Sequence, residues 1–270
     1  MLAIASYPRS GSHLYRFLLE YITGHYTMGC PENLRDGPIF KNDFPLSPGC
    51  LDHVSRYKCL GMKVHTLAEY RSLAAVCPIQ GFHLIVRSPV DALASHVSSL
   101  YQEIDGSLVP RPDKKVPSNE SEFKELIVEY FERWSSLMQA YYQIFATMDK
   151  STLIIYENLI DPASCAAEIV KSLDSVRDLI VLDKFAEFIE KKQFLLDVSR
   201  GARGRTWGGD KTVAEGSDYY LKRLPSFIDE DDFCQGINSL LKKRVVEFRR
   251  GLNAYPRFDE LIFLTEQYIS

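Results

Sequence analysis

The run Leu2–Gly24, LAIASYPRSGSHLYRFLLEYITG, leaves the backbone few paths. Leu2–Ser6 is apolar without helical spacing, and Pro8, which has no amide to donate, closes it as a strand. Leu14, Phe17, Leu18, Tyr21 and Ile22 recur three and four apart, so they line one helix face, and Gly24 stands where that helix stops. The segment Arg9-Ser10-Gly11-Ser12-His13 between them must therefore turn the chain from strand to helix. Gly11 lets the backbone approach a ligand closely, the helix start offers unpaired amides and the positive end of its dipole, and Arg9, Ser10 and Ser12 add donors. Such a turn is an anion cradle suited to phosphate. The same residues also fit an ordinary strand-to-helix turn with a serine cap, and segments further along have to decide. The pattern G-x-x-x-x-G-K-[ST] is absent, which disfavours ordinary P-loop NTPase chemistry.

Three further strands follow, each handing over to a helix. Cys59–His65 is the second, and Thr66-Leu-Ala-Glu69 after it is a capping box. Lys63 and His65 alternate with Val64, so they face the same way at the carboxyl end of that strand, where open α/β sheets bind ligands. A histidine there also fits a purely structural hydrogen bond. Gly81–Arg87 is the third strand, and Ser88-Pro89 with Asp91 starts the next helix, placing Arg87 and Ser95 where both can face one ligand; a surface ion pair is the other use for Arg87. Thr152–Tyr156 is the fourth, with Asp161-Pro162 opening the helix after it.

Alternating strands and helices predict an α/β fold of the P-loop-like, three-layer kind, a mostly parallel central sheet with helices on both faces. Phe123, Ile127, Phe131, Trp134, Met138, Tyr141 and Phe145 predict a long core helix from Glu122 to about Met148. Phe185, Phe188 and Ile189 belong to a further amphipathic helix ending near Phe194, and Phe233, Ile237, Leu240, Leu241, Val245 and Phe248 to a packed carboxyl-terminal one. His25–Arg56 and Glu103–Ser118 read as loops, the second as mobile. Ser199–Gly216 carries five glycines with Arg200, Arg203, Arg205 and Lys211, a cationic segment that fits a polyphosphate clamp or a surface linker.

At 270 residues the chain makes one large domain over 1–270 or one domain with a helical elaboration. With a net charge of −4, nothing suggests a general affinity for nucleic acid or anionic membrane, so any polyanion site is local. The six cysteines form no C-x-x-C pair and no metal-ligand spacing, and no apolar run is long enough to span a bilayer. With a core strand beginning at Leu2, no signal peptide is expected, and the expected compartment is the cytoplasm.

Taken in order, these segments resemble the sulfotransferases that use 3′-phosphoadenosine 5′-phosphosulfate (PAPS). Ser6-Tyr7-Pro8-Arg9-Ser10-Gly11-Ser12 resembles the family's 5′-phosphosulfate loop, commonly Tyr-Pro-Lys-Ser-Gly-Thr-Thr-Trp; Lys63-Val64-His65 resembles its Lys-Thr-His strand end. Arg87 with Ser95 matches the 3′-phosphate element, and Tyr156-Glu157-Asn158-Leu159 the segment whose tyrosine contacts adenine. Arg200-Gly201, Gly204 and Trp207 are similar to the Arg-Lys-Gly-x-x-Gly-Asp-Trp signature, with Trp207 one place late and Arg203 available for part of that role. Arg9 stands for the usual lysine, as in carbohydrate-type and bacterial members, and Leu14 for a tryptophan that Phe185 would replace against adenine.

The resemblance implies a histidine base, His65, with Lys63 and Arg9 beside it. It implies nucleotide binding by Arg9, Ser10, Gly11, Ser12, His13, Arg87, Ser95, Tyr156, Arg200, Gly201 and Arg203. It further implies PAPS as co-substrate, 3′,5′-ADP as product, no metal, and a small-molecule or carbohydrate acceptor carrying a hydroxyl or amine, with alcohols, phenols, sugars and glycopeptides all open. Two other readings of the residues remain: an ATP-dependent small-molecule kinase, and a non-catalytic nucleotide-binding protein.

Overall fold

The structure is a computed structural model and describes residues 1–29, 59–104, 107–192, 221 and 224–252. In chain order these form β1 (Leu2–Ser6), α1 (Ser12–Thr23), β2 (Thr27–Met28), β3 (Gly61–Val64), α2 (Leu67–Val76), β4 (Gly81–Val86) and α3 (Pro89–Ser98). There follow β5 (Tyr101–Ile104), β6 (Ser107–Pro110), α4 (Glu120–Thr147), β7 (Ser151–Ile155), α5 (Tyr156–Ile160), α6 (Cys165–Val170), a helical stretch over residues 182–192, and α7 (Glu230–Leu252). Two compact units divide them: Met1–Arg87 with Met148–Ala214, and Ser88–Thr147 with Glu215–Ser270.

The first unit holds a five-stranded sheet, parallel throughout, in the order β2-β3-β1-β4-β7. Successive side chains of a strand go to opposite faces, and both faces here are covered. Leu2 and Ile4 pack with Leu14, Phe17, Leu18 and Ile22 of α1. Phe82, one residue out of step with them, meets the ring of Tyr70 from α2 edge-on at 5.7 Å. Residues buried on two sides explain why β1 and β4 read as continuous apolar runs. This is the expected three-layer α/β arrangement. Burial of each such Leu, Ile or Phe contributes about 1.5–3 kcal/mol.

The second unit contains α3, the antiparallel β5-β6 pair, α4 and α7. All seven apolar positions expected to line α4 are buried, and Phe123 meets Phe233 of α7 at 6.1 Å. No described helix is long and apolar enough to cross a membrane.

Several expectations are corrected. Thr27–Met28, inside a segment read as loop, is an edge strand. Polar groups hold it: Arg16 donates to Thr27 Oγ1 at 2.7 Å, and Thr27 N donates to Glu20 Oε1 at 2.9 Å, all three residues being buried. Tyr101–Ile104 and Ser107–Pro110, of which Glu103 onward was expected to be mobile loop, pair as two antiparallel strands. The helix after β7 starts at Tyr156 rather than at Asp161, whose carboxylate instead accepts from the amides of Ala163 and Ser164, both at 3.1 Å, between α5 and α6. No side-chain hydrogen bond of Ser88 caps α3, although Pro89 occupies its first turn.

Under α1 lies a polar chain that sets an acid limit on stability. His83 in β4 is fully buried, with Nδ1 2.6 Å from Tyr15 Oη and Nε2 2.6 Å from Ser175 Oγ. Ser175 gives its one hydroxyl proton to the carbonyl of Ser172 at 2.7 Å, so it accepts from Nε2–H, and the Nδ1 lone pair accepts from Tyr15. Burial accordingly holds the His83 pKa down at about 3. Because this folded-state value lies below the unfolded one of about 6.5, His83's contribution is complete above pH about 6.5 and is lost as pH falls from there toward 3. The expected slope is on the order of 1.4 kcal/mol per pH unit. Urea titrations between pH 7.5 and 4.5 should show it in the wild type and lose it in His83→Gln; equal slopes in both proteins would refute the account.

Candidate functional site

β1 ends at Ser6, and the chain turns through Tyr7–Gly11 into α1, with Ser10 N donating to Tyr7 O at 3.2 Å. Two residues of the turn have left-handed backbone: Gly11 at φ +88° and, unusually for a residue with a Cβ, Arg9 at φ +70°. Left-handed residues alternating with others are the backbone arrangement of anion-binding nests. Gly11 is also the N-cap of α1, which no side chain caps, and Tyr15 N makes the first helical bond to its carbonyl at 3.1 Å. Ser10 and Ser12 are buried, His13 is half-buried and Arg9 is exposed.

The sheet register brings the distant residues to this turn. Continuing the pairs Ala5↔Val64 and Val86↔Ile155 by one residue sets Ser6 beside His65 and Arg87 beside Tyr156. His65 Nδ1 lies 2.9 Å from Ser6 O and 3.2 Å from Ser6 Oγ. A carbonyl oxygen only accepts, so Nδ1 carries the proton and Nε2 the lone pair. The backbone of His65 is fixed as well. Its amide and that of Thr66 donate to Glu69 Oε2, while Glu69 N donates to Thr66 Oγ1 at 3.1 Å, completing the expected capping box. Thr66→Ala should lower stability by about 1 kcal/mol, read as the shift in the urea midpoint; no shift would mean that the box is dispensable.

On the other side, Arg87 is buried and its Nη1 donates to Arg9 O at 2.9 Å. Its Cζ stands 4.6 Å from the centroid of the Tyr156 ring, a cation–π contact. That ring, buried, lies so close to Gly11 that a Cβ built there would fall 2.0 Å from Tyr156 Cδ2. His65 and Arg87 thus flank one loop. Lys63 is buried, two residues before His65 on β3. Ser95 is buried in α3 of the second unit. Arg200, Gly201, Arg203 and the rest of Ser199–Gly216 lie outside the described residues. Leu14 belongs to the core under α1, and Phe185 packs against that core with its ring 6.2 Å from Phe188.

No family model matches this chain, and no curated protein matches it. The geometry of the site contains two parts the sequence reading did not single out. One is Ser6, which strand register alone would have placed opposite His65. The other is the contact of Tyr156 with Gly11, which depends on β7 lying next to β4 and so carries no local signal. No His, Cys, Asp and Glu cluster suited to a metal occurs among the described residues.

Proposed function

We propose that this chain is a PAPS-dependent sulfotransferase, transferring the sulfuryl group to a hydroxyl or amine acceptor. The observation that carries the reading is the sheet register, which sets the strand ends bearing His65 and Arg87 on either side of the Tyr7–Gly11 turn. The residues present fit such a nucleotide. A bend with two left-handed residues and an uncapped helix start suits the 5′-phosphosulfate, and a Cβ at Gly11 has no room.

In this reading Nε2 of His65 takes the proton of the acceptor hydroxyl while Nδ1–H stays on the Ser6 carbonyl. The acceptor oxygen forms its bond to sulfur as the bond from sulfur to the bridging oxygen breaks, that electron pair remaining on the 5′-phosphate. Arg9 stabilises the charge arriving there; a guanidinium stays protonated at ordinary pH, so it supplies charge and hydrogen bonds rather than a proton. Arg87 grips the 3′-phosphate with charge-assisted bonds. Four cysteines among the described residues, Cys59, Cys77, Cys165 and Cys234, are free thiols, which fits a reducing compartment such as the cytoplasm.

Calorimetry tests the substrate class. 3′,5′-ADP should bind at least tenfold more tightly than 5′-AMP, and without magnesium. Tighter binding of magnesium-ATP would favour a kinase and overturn the proposal. Arg87→Ala should weaken 3′,5′-ADP by about tenfold to a hundredfold, the range of a hydrogen bond to a charged group. It should weaken 5′-AMP less, through the lost support of the Arg9 carbonyl; equal losses would remove Arg87 from the 3′-phosphate.

A further inference from the structure

Glu168 lies in the middle of the otherwise uncharged helix α6, CAAEIV, and is 2% exposed. A carboxylate taken out of water needs compensating donors. Glu168 has three: Ile155 N at 2.7 Å on Oε1, and Asn158 Nδ2 at 2.9 Å with Lys171 Nζ at 2.7 Å on Oε2. The lysine is half in solvent and has no need of a buried partner. The other two donors belong to residues on either side of Tyr156, one immediately before it and one two residues after. No side chain caps the helix that opens at Tyr156, so this carboxylate is what braces the strand-to-helix corner.

The corner sets the Tyr156 ring, and the ring is the wall behind Gly11 and the platform under Arg87. Arg87 in turn holds the carbonyl of Arg9, whose left-handed backbone is the strained point of the loop. Each link in this path is a direct contact, so a shift at the corner moves the loop.

We propose that Glu168 is a positioning residue for the anion-binding loop, acting through Tyr156 on Gly11 and, through Arg87, on Arg9. The geometry stands alone; only the nucleotide used as probe rests on the functional reading above. What Glu168 supplies is acceptor geometry rather than charge. Gln keeps an oxygen for Ile155 N, and Asn158 can turn its amide to accept from the new amide nitrogen.

The test uses the full chain, first without nucleotide. In Glu168→Ala the backbone amide resonances of Gly11 and Arg9 should move, although neither residue touches Glu168, and in Glu168→Gln they should return to wild-type positions. With 3′,5′-ADP as probe, Glu168→Ala should bind about tenfold more weakly, the loss expected when a group that holds binding residues in place is removed, and Glu168→Gln within a few fold of wild type. A residue with only a structural role would lower the melting temperature and leave both readouts unmoved. If Glu168→Ala does not fold, Glu168→Asp, which withdraws the carboxylate by one methylene, must shift the same two amides. Unmoved amides in Ala or Asp, or a Gln variant displaced as far as Ala, overturn the proposal. Failure of the wild type to bind 3′,5′-ADP would overturn the functional reading instead, since the amide readout needs no ligand.

Discussion

His65→Ala should slow sulfuryl transfer by about 10²–10⁴-fold while leaving the affinity for 3′,5′-ADP within a few fold of wild type, as measured by single-turnover assay and calorimetry. The asymmetry follows from placement: the ring is held at Nδ1 by the carbonyl and hydroxyl of Ser6, on the flank of the loop away from Arg87 and Tyr156. In the proposed reaction the variant loses a proton acceptor needed in the transition state and little ground-state binding. His65→Asn separates orientation from basicity, because an Asn amide can still donate to the Ser6 carbonyl but cannot take a proton at neutral pH. It should be as impaired as His65→Ala. Turnover unchanged in either variant would remove His65 from the chemistry, and a loss of nucleotide affinity equal to the loss of turnover would make it a binding residue.

Gly11→Ala should have the largest effect on stability. Two penalties act together: a left-handed backbone at φ +88°, and a Cβ placed 2.0 and 2.3 Å from Cδ2 and Cε2 of a buried Tyr156 ring. The first costs about 1–2 kcal/mol for a residue with a Cβ, and forcing an atom into packed surroundings about 1–3 kcal/mol. A loss of about 2–5 kcal/mol is a large part of the 5–15 kcal/mol typical of a folded domain. Urea denaturation reads it directly. Adding Tyr156→Ala should return part of the overlap cost and none of the backbone cost, so the pair is non-additive. A Gly11→Ala protein within about 0.5 kcal/mol of wild type would mean that the ring does not stand behind the loop.

What could be read from the sequence was what the chain decides locally. Pro8 ends β1, the three-and-four spacing of Leu14 to Ile22 makes α1, and Thr66 with Glu69 makes the cap that fixes His65. His65 and Arg87 were legible because each terminates a short apolar strand. β2 was not, because Thr27 is held by buried Arg16 and Glu20 of α1, residues that a hydrophobic pattern counts as surface. The β5-β6 pair left a trace, the Asp105-Gly106 dipeptide between its strands, outweighed by the prolines and lysines after it. The seat of Tyr156 had no local signal. It depends on β7 lying next to β4, and strand order is a property of the assembled sheet.

That strand order has a consequence for how the protein is made. β7 is the last strand among the described residues, separated from its neighbour β4 by the whole Ser88–Thr147 excursion, and Tyr156 follows it directly. A nascent chain that has emerged only as far as Thr147 can form β1 to β4 and the turn between β1 and α1. It still lacks the aromatic ring behind Gly11 and the Glu168 carboxylate that accepts from Ile155 N, so the surroundings of this turn are complete only once α6 has been made.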